Sequence, residues 1–199
     1  MTKLAERTAA YAIEPLILNR WSPRAMSGEP ITKADLMPLI EAARWAPSSY
    51  NSQPWRFIYA IHGSPQWSQF TGLLDEFNRS WAPKAGALLV LASKKEFEWG
   101  GAARTHSFDA GAAWQNFALQ GSVSGLVVHG MEGFDYARAR ALLNIPDDYE
   151  IEMMIAVGKL GDASQLTGEL LAMEKPSDRR ATSEIAIEGA FQYEVPGKV

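Results

Sequence analysis

Apolar residues recur along the chain in blocks that alternate between a helical and a strand period. Leu4, Ala9, Ala12, Ile13, Leu16 and Ile17 share a broad face and predict a first helix over 4–19. Leu36, Leu39, Ile40 and Ala43 repeat the spacing behind Thr32-Lys33-Ala34-Asp35, a capping-box-like helix start; Pro38 falls just inside and should loosen the first turn. Trp55 to Ile61, aromatic and β-branched and entered through Pro54, reads as a strand. A helix is expected over 63–77, a buried strand over 87–92 and a loop over 94–101, with Phe97 and Trp99 as its aromatics. Residues 105–124 predict a long buried helix ended by Gly125, and a strand starts at Leu126-Val127-Val128. Asp135 is placed to cap a helix over 136–143, a turn follows at 145–149, and a last strand is expected over 150–158.

Composition narrows what such a chain can do. With 199 residues, 47% hydrophobic and 21% charged, it reads as one soluble globular domain over 1–199. The net charge of −4 and the lack of any long basic run argue against nucleic acid. The chain has no cysteine, so disulfides, thiol catalysis and thiolate metal sites are excluded. The longest stretch without formal charge, 110–131, holds two glutamines, an asparagine and a histidine, too polar for a membrane span. Residues 1–11 lack the apolar core of a secretory signal, and the cytosol is the expected location. His62, His106 and His129 lie far apart with no metal-ligand spacing, and no Gly-x-Gly-x-x-Gly, P-loop or Gly-x-Ser-x-Gly occurs. No metal site is expected, and no side chain stands out as a catalytic acid, base or nucleophile.

Three stretches carry chemistry. Ala42 to Trp55 joins helix to strand with two prolines, three serines, an asparagine and a glutamine, a set that suits a neutral polar ligand as well as an ordinary connection rich in turn formers. Asn19 to Arg24 brings two arginines and a hydroxyl together, fit either for phosphate oxygens or for solvent. His129 to Asp135 sets two glycines around Met131-Glu132, a backbone that can turn sharply against a ligand or simply link strand to helix. The low bulk of Ala110-Gly111-Ala112-Ala113 admits close approach of another backbone, from within the subunit or from another one.

Ala43-Arg44-Trp45-Ala46-Pro47-Ser48-Ser49-Tyr50-Asn51-Ser52-Gln53-Pro54-Trp55 closely resembles the signature loop of the nitroreductase family, FMN-dependent NAD(P)H oxidoreductases. Three further stretches resemble that family in its order. Arg20, Ser22 and Arg24 match an Arg-x-Ser-x-Arg element that holds the FMN phosphate and ribityl chain, with Trp21 where the family often has a basic residue. Glu132 and Gly133, with Met131 beside them, match a Glu-Gly-Phe-Asp turn whose amides donate to the flavin. Arg179 and Arg180 fall in a late basic element that completes the phosphate site. The resemblance also implies flavin contacts from Pro47, Ser48, Ser49, Asn51 and, more weakly, Gln53, largely across a dimer interface, and from Asn78. It carries Asp109 to Asn116 onto the helix that forms much of the dimer core, and residues 184–195 onto a segment that wraps the partner subunit.

What the resemblance implies is an α+β protein with a mostly antiparallel central sheet of four or five strands flanked by helices, an intertwined homodimer with FMN at the subunit interface. NADH or NADPH would supply hydride to flavin N5, and a nitroaromatic, quinone or enone would then take it in a ping-pong cycle. The alternative is an FMN-binding regulatory or flavin-handling dimer without reductase activity; a different flavin enzyme on the same fold, such as a dehalogenase, fits the short loop at 93–106 less well.

Overall fold

A computed structural model of the chain describes residues 7–191. Its centre is a four-stranded, wholly antiparallel sheet of order β1-β2-β4-β3, made of β1 (Trp55–Ile61), β2 (Ala87–Lys94), β3 (Val127–Met131) and β4 (Tyr149–Gly158). β2 lies in the middle, and every residue from Ala87 to Ser93 is buried, as expected for an unbroken Ala-Leu-Leu-Val-Leu-Ala run covered on both faces. Alternation sorts its side chains: Ala87, Leu89 and Leu91 meet one apolar core, Leu88, Val90 and Ala92 the other.

The first core is sealed by α2 (Lys33–Arg44) and α5 (His106–Val123), the best-packed helix pair in the molecule. α2 begins as the sequence predicts: Thr32 Oγ1 accepts from the Asp35 amide at 3.3 Å, and the Asp35 carboxylate accepts from the Thr32 amide at 2.7 Å. Pro38 lies inside α2, past its first turn, where it costs the helix the bond its N–H would have made to the Ala34 carbonyl. Gly121 of α5 is the point of closest approach; a Cβ there would lie 2.4 Å from Val128. Gly111 faces outward, and a Cβ on it would meet nothing within 4 Å.

The second core is closed by short helices: α3 (Trp67–Thr71), α4 (Glu76–Arg79) and α6 (Tyr136–Leu142). The helix expected over 63–77 is therefore two short ones. The chain between them is drawn into a bridge between Leu74 and Phe134, and the Asp75 carboxylate restarts the helix by accepting from the Asn78 amide at 2.7 Å. Asp135 caps α6 as expected, accepting from the Arg138 amide at 2.9 Å.

The helix expected over 4–19 is corrected more sharply. Residues 1–6 lie outside the described residues, and of 7–19 only α1 (Pro15–Asn19) is helical. Pro15 cannot be entered from a preceding helical turn, because its ring clashes with the carbonyl four residues back; it serves instead as the first residue of α1. Ile13 and Ile17, two of the six residues in the apolar face that suggested the longer helix, are exposed. After β4 the chain runs through α7 (Gly168–Ala172) and α8 (Thr182–Ile185) along the surface; of the expected partner-wrapping segment, 192–195 lie outside the described residues. No described helix is long and apolar enough to cross a membrane.

Candidate functional site

The segment after α1 and the segment after α7 meet although about 150 residues separate them. Glu174 makes the joint: its carboxylate accepts from the Arg24 amide at 2.9 and 3.0 Å and from the Ala25 amide at 2.9 Å. This fixes Met173 to Arg179 against Arg20 to Arg24 and encloses a cavity of about 460 Å³. Arg7, Arg20, Arg24, Lys175 and Arg179 line it, together with Trp21 and Ser22, and among the described residues no carboxylate does.

So many cations in one concavity repel one another. Burial, then Arg7 and Arg179, lowers the pKa of Arg20, and burial with Arg179 lowers that of Arg7. Arg7 is partly held, donating to the Leu18 and Arg20 carbonyls at 2.9 Å each, and Arg20 donates to Ser22 Oγ at 3.1 Å. Yet Nε of Arg7 and Nε of Arg24 are buried with no acceptor. Buried guanidinium N–H groups without partners are costly, and an anion with several oxygens in this cavity would satisfy them.

His129 forms part of the same wall. Its Nδ1 lies 3.1 Å from the Pro23 carbonyl, which can only accept, so this nitrogen carries the hydrogen. The ring tilts against Trp81 at 4.7 Å, and burial drives its pKa down to about 4, with Arg24 and Arg20 adding to the shift and the bond to Pro23 opposing it. The ring is thus neutral at pH 7.

Arg20 and Ser22 also line a second cavity, of about 410 Å³, so the two form one trough. The second part is lined by Trp114, Gln115, Gly130, Met131, Glu132, Tyr136, Glu152 and Met153. A Cβ at Gly130 would crowd Trp114 at 3.2 Å and Met153 at 3.1 Å. Gly133 is held behind the wall: its carbonyl accepts from Asn78 Nδ2 at 2.9 Å and from the Asp75 amide at 3.2 Å, and a Cβ there would fall 2.2 Å from Asp75 Oδ2. Asn78 lines neither cavity; it is buried, with Oδ1 accepting from Trp81 Nε1 at 3.2 Å, and acts here by fixing the turn.

The loop of 47–53 stands apart. Tyr50, Asn51 and Gln53 have φ of 52°, 54° and 47°, a left-handed run that non-glycine residues adopt only under constraint. The constraint is visible: Ser48 Oγ accepts from the Gln53 amide at 3.0 Å, and Asp109 of α5 accepts from the Ser49 amide at 3.1 Å. Asn116 of α5 donates to the Ala42 carbonyl at 3.2 Å, pinning the end of α2. None of Pro47, Ser48, Ser49, Asn51 or Gln53 lines the trough. Asn51 and Gln53 instead border a small cavity of about 190 Å³ with Phe97 and Trp99, whose rings stack at 4.7 Å under the edge of Tyr50.

Of the residues the sequence offers, the structure gathers Arg20, Trp21, Ser22, Arg24, Met131, Glu132 and Arg179 around one trough, and leaves Arg180 off its lining. It adds Arg7, Lys175, Trp114, Gln115 and Glu152. Lys175 stands in the late basic stretch and was within reach of the sequence; Arg7, inside a segment read as helix, carried no signal.

The family model described as "Nitroreductase family" matches residues 17–65 and 63–159. The chain belongs to the nitroreductase family. A structure described as an oxidoreductase containing FMN is 42% identical, with a TM-score of 0.92 over 98% of this chain and 100% of the other. A candidate nitroreductase from Desulfovibrio desulfuricans, solved in complex with FMN, shares the fold at 22% identity, with a TM-score of 0.71 over 91% of this chain and 100% of the other. Protein DrgA of Synechocystis is 27% identical over 160 residues, 65% of this chain and 74% of its own length.

Proposed function

We propose that this nitroreductase-family chain is an FMN-dependent oxidoreductase that takes reducing equivalents from NADH or NADPH and delivers them to electrophilic small molecules such as nitroaromatics, quinones or enones, in a ping-pong cycle. The observation that carries it is the trough itself: a cradle of five cations with two orphaned buried N–H groups, opening into a wall of aromatic, glycine and turn residues. That order of chemistry fits a ligand with a phosphate at one end and a flat heteroaromatic ring at the other, and the structural relative at 42% identity contains FMN.

In this reading Arg20, Ser22, Arg24 and Arg179, with Arg7 and Lys175, hold the phosphate, and Trp21 borders it. Met131, Glu132 and Gly133 form the turn against the ring. FMN supplies the hydride chemistry, as cofactors do for reactions that side chains cannot perform. The protein binds and orients it, the cradle fixing one end and the rigid turn, braced by Asn78, the other.

Pro47, Ser48, Ser49, Asn51 and Gln53 reach a trough only if it belongs to another copy, so the working unit is a homodimer with each site built from two chains. Support comes from the outward face of the same region: Gly111 is open, and Trp45, Tyr50, Phe108 and Val123 are large apolar groups largely in water. The whole of 1–199 acts as one FMN-binding domain, in the cytoplasm.

An absorbance spectrum of the purified protein, followed by anaerobic NADH and then NADPH, tests the reading. Flavin bands that bleach and return on adding a nitroaromatic or quinone are expected. Bands that never bleach favour the non-reductase alternative, and no bands even in excess FMN overturn the proposal.

A further inference from the structure

The trough holds one feature that cofactor binding leaves unused. β2 and β4 pair regularly except at one point, where Leu91 opposes Met153 but Ala92 opposes Ile151. Glu152 is the extra residue of a β-bulge. Ile151 and Met154 both turn to one core, and Glu152 and Met153 both turn to the face covered by α5. Bulges re-aim side chains, and this one sets a carboxylate in the wall of the second cavity.

That carboxylate ends a chain of hydrogen bonds. Ser93 Oγ and Ser107 Oγ both donate to Glu152 Oε1, the latter at 2.8 Å, and Ser93 Oγ lies 2.7 Å from His106 Nδ1. A hydroxyl has one hydrogen; with Ser93 donating to Glu152, it must accept from His106 Nδ1–H. The bonds thus run in one direction, His106 to Ser93 to Glu152. Oε2 of Glu152 accepts no hydrogen bond from any described residue.

Resting on the reading of this cavity as the ring end of the cofactor site, we propose that Glu152 is the proton donor to the reduced substrate and that Ser93 and His106 recharge it. Two-electron reduction of a nitro group takes up one hydride equivalent and one proton and releases water with the nitroso product. The hydride comes from NAD(P)H by way of FMN. The proton leaves the Glu152 carboxyl for a nitro oxygen, and the bonding pair stays on the carboxylate. As His106 Nε2 takes a proton from solvent, its Nδ1 proton passes to Ser93 Oγ and the Ser93 hydroxyl proton passes to Glu152, leaving the imidazole neutral with its hydrogen on Nε2 until the ring exchanges with solvent again. The side chains of both Glu152 and His106 are 18% exposed, enough for that exchange. Other charged or titratable groups that line the cavity with Glu152 are Glu132, Tyr136 and Arg20. A purely structural role, a carboxylate at the start of α5, would alter stability and nothing else.

The test is anaerobic stopped-flow on FMN-loaded protein. A parent protein whose flavin is not bleached by NADH or NADPH overturns both this proposal and the reading of the site. With bleaching intact, Glu152→Gln should slow re-oxidation by a nitroaromatic about 100-fold relative to re-oxidation by ferricyanide, which takes electrons and no proton. An unchanged ratio overturns the donor while leaving the cofactor site standing. Should the Gln variant fail to fold, Ser93→Ala cuts the relay with the carboxylate kept and should lower the same ratio at high pH, where direct recharging from solvent is slow. Independently of turnover, 15N-histidine spectra of FMN-free protein should show His106 with its hydrogen on Nδ1; a neutral ring with its hydrogen on Nε2 overturns the relay.

Discussion

The basic cradle and the loop of 47–53 are both rich in polar groups, yet they solve opposite problems. The cradle is under-satisfied: its guanidinium groups crowd one another, two N–H groups have no acceptor among the described residues, and segments from the two ends of the described chain close around it. The loop is over-constrained. Three of four consecutive residues are left-handed, and its amides are bonded inside the loop or to Asp109, so its shape is finished before anything binds. A region with unmet hydrogen bonds calls for a ligand. A region already held rigid and lining no part of the trough has its use explained by the proposed dimer.

The comparison can be broken from the loop side with the largest effect. Phe108→Glu puts a charge on the exposed face of α5 and should leave the fold intact, as circular dichroism would show, while abolishing the dimer in sedimentation and with it tight FMN binding. Retained FMN affinity in a monomer would mean that one chain suffices.

On the cradle side, acid comes next. His129 has its pKa lowered from 6.5 to about 4 by burial. A depressed histidine binds fewer protons in the folded state than in the unfolded one, so its contribution is whole above about pH 6.5 and is lost as pH falls toward 4. Full protonation is worth about 3 kcal/mol, the product of the shift and 1.36 kcal/mol per unit. Urea unfolding between pH 4 and 7 should show that slope, and His129→Phe should flatten it. The turn between the regions is then tested by Gly133→Val, whose branched side chain would collide with Asp75 and Asn78; overpacking of this kind costs about 2–3 kcal/mol, read as a lower Tm with weakened FMN binding. The smallest effect is the most specific. Arg20→Ala should weaken FMN about 30-fold, or about 2 kcal/mol for a charge-assisted contact, while riboflavin, which lacks the phosphate, loses little.

These outcomes follow from how the chain wrote its structure. The four strands were legible from their short apolar and β-branched runs, and α2 with its Thr32–Asp35 cap and α6 with Asp135 because the bonds that start them are local. The loop and the arginine pair were legible as motifs for the same reason. Arg7 and Glu152 were not, since one joins the trough through contacts far along the chain and the other through a bulge that periodicity cannot foresee. The overlong first helix shows the converse: Ile13 and Ile17 have the spacing of a buried face but no core of their own chain to meet, and Pro15 sets where the helix can begin.

The central claim is that each site is assembled from the cradle of one chain and the loop of another, and complementation tests it most directly. Arg20→Ala/Arg24→Ala destroys the cradle; Ser49→Ala/Asn51→Gly removes two loop side chains without straining the left-handed backbone. Each variant alone should fail to quench FMN fluorescence at micromolar protein. Unfolded, mixed and refolded together, they should regain about a quarter of the sites, because half of the dimers pair unlike chains and each such dimer has one intact site. No recovery in the mixture, with both variants folded and dimeric, would contradict the account and return the loop to its own chain.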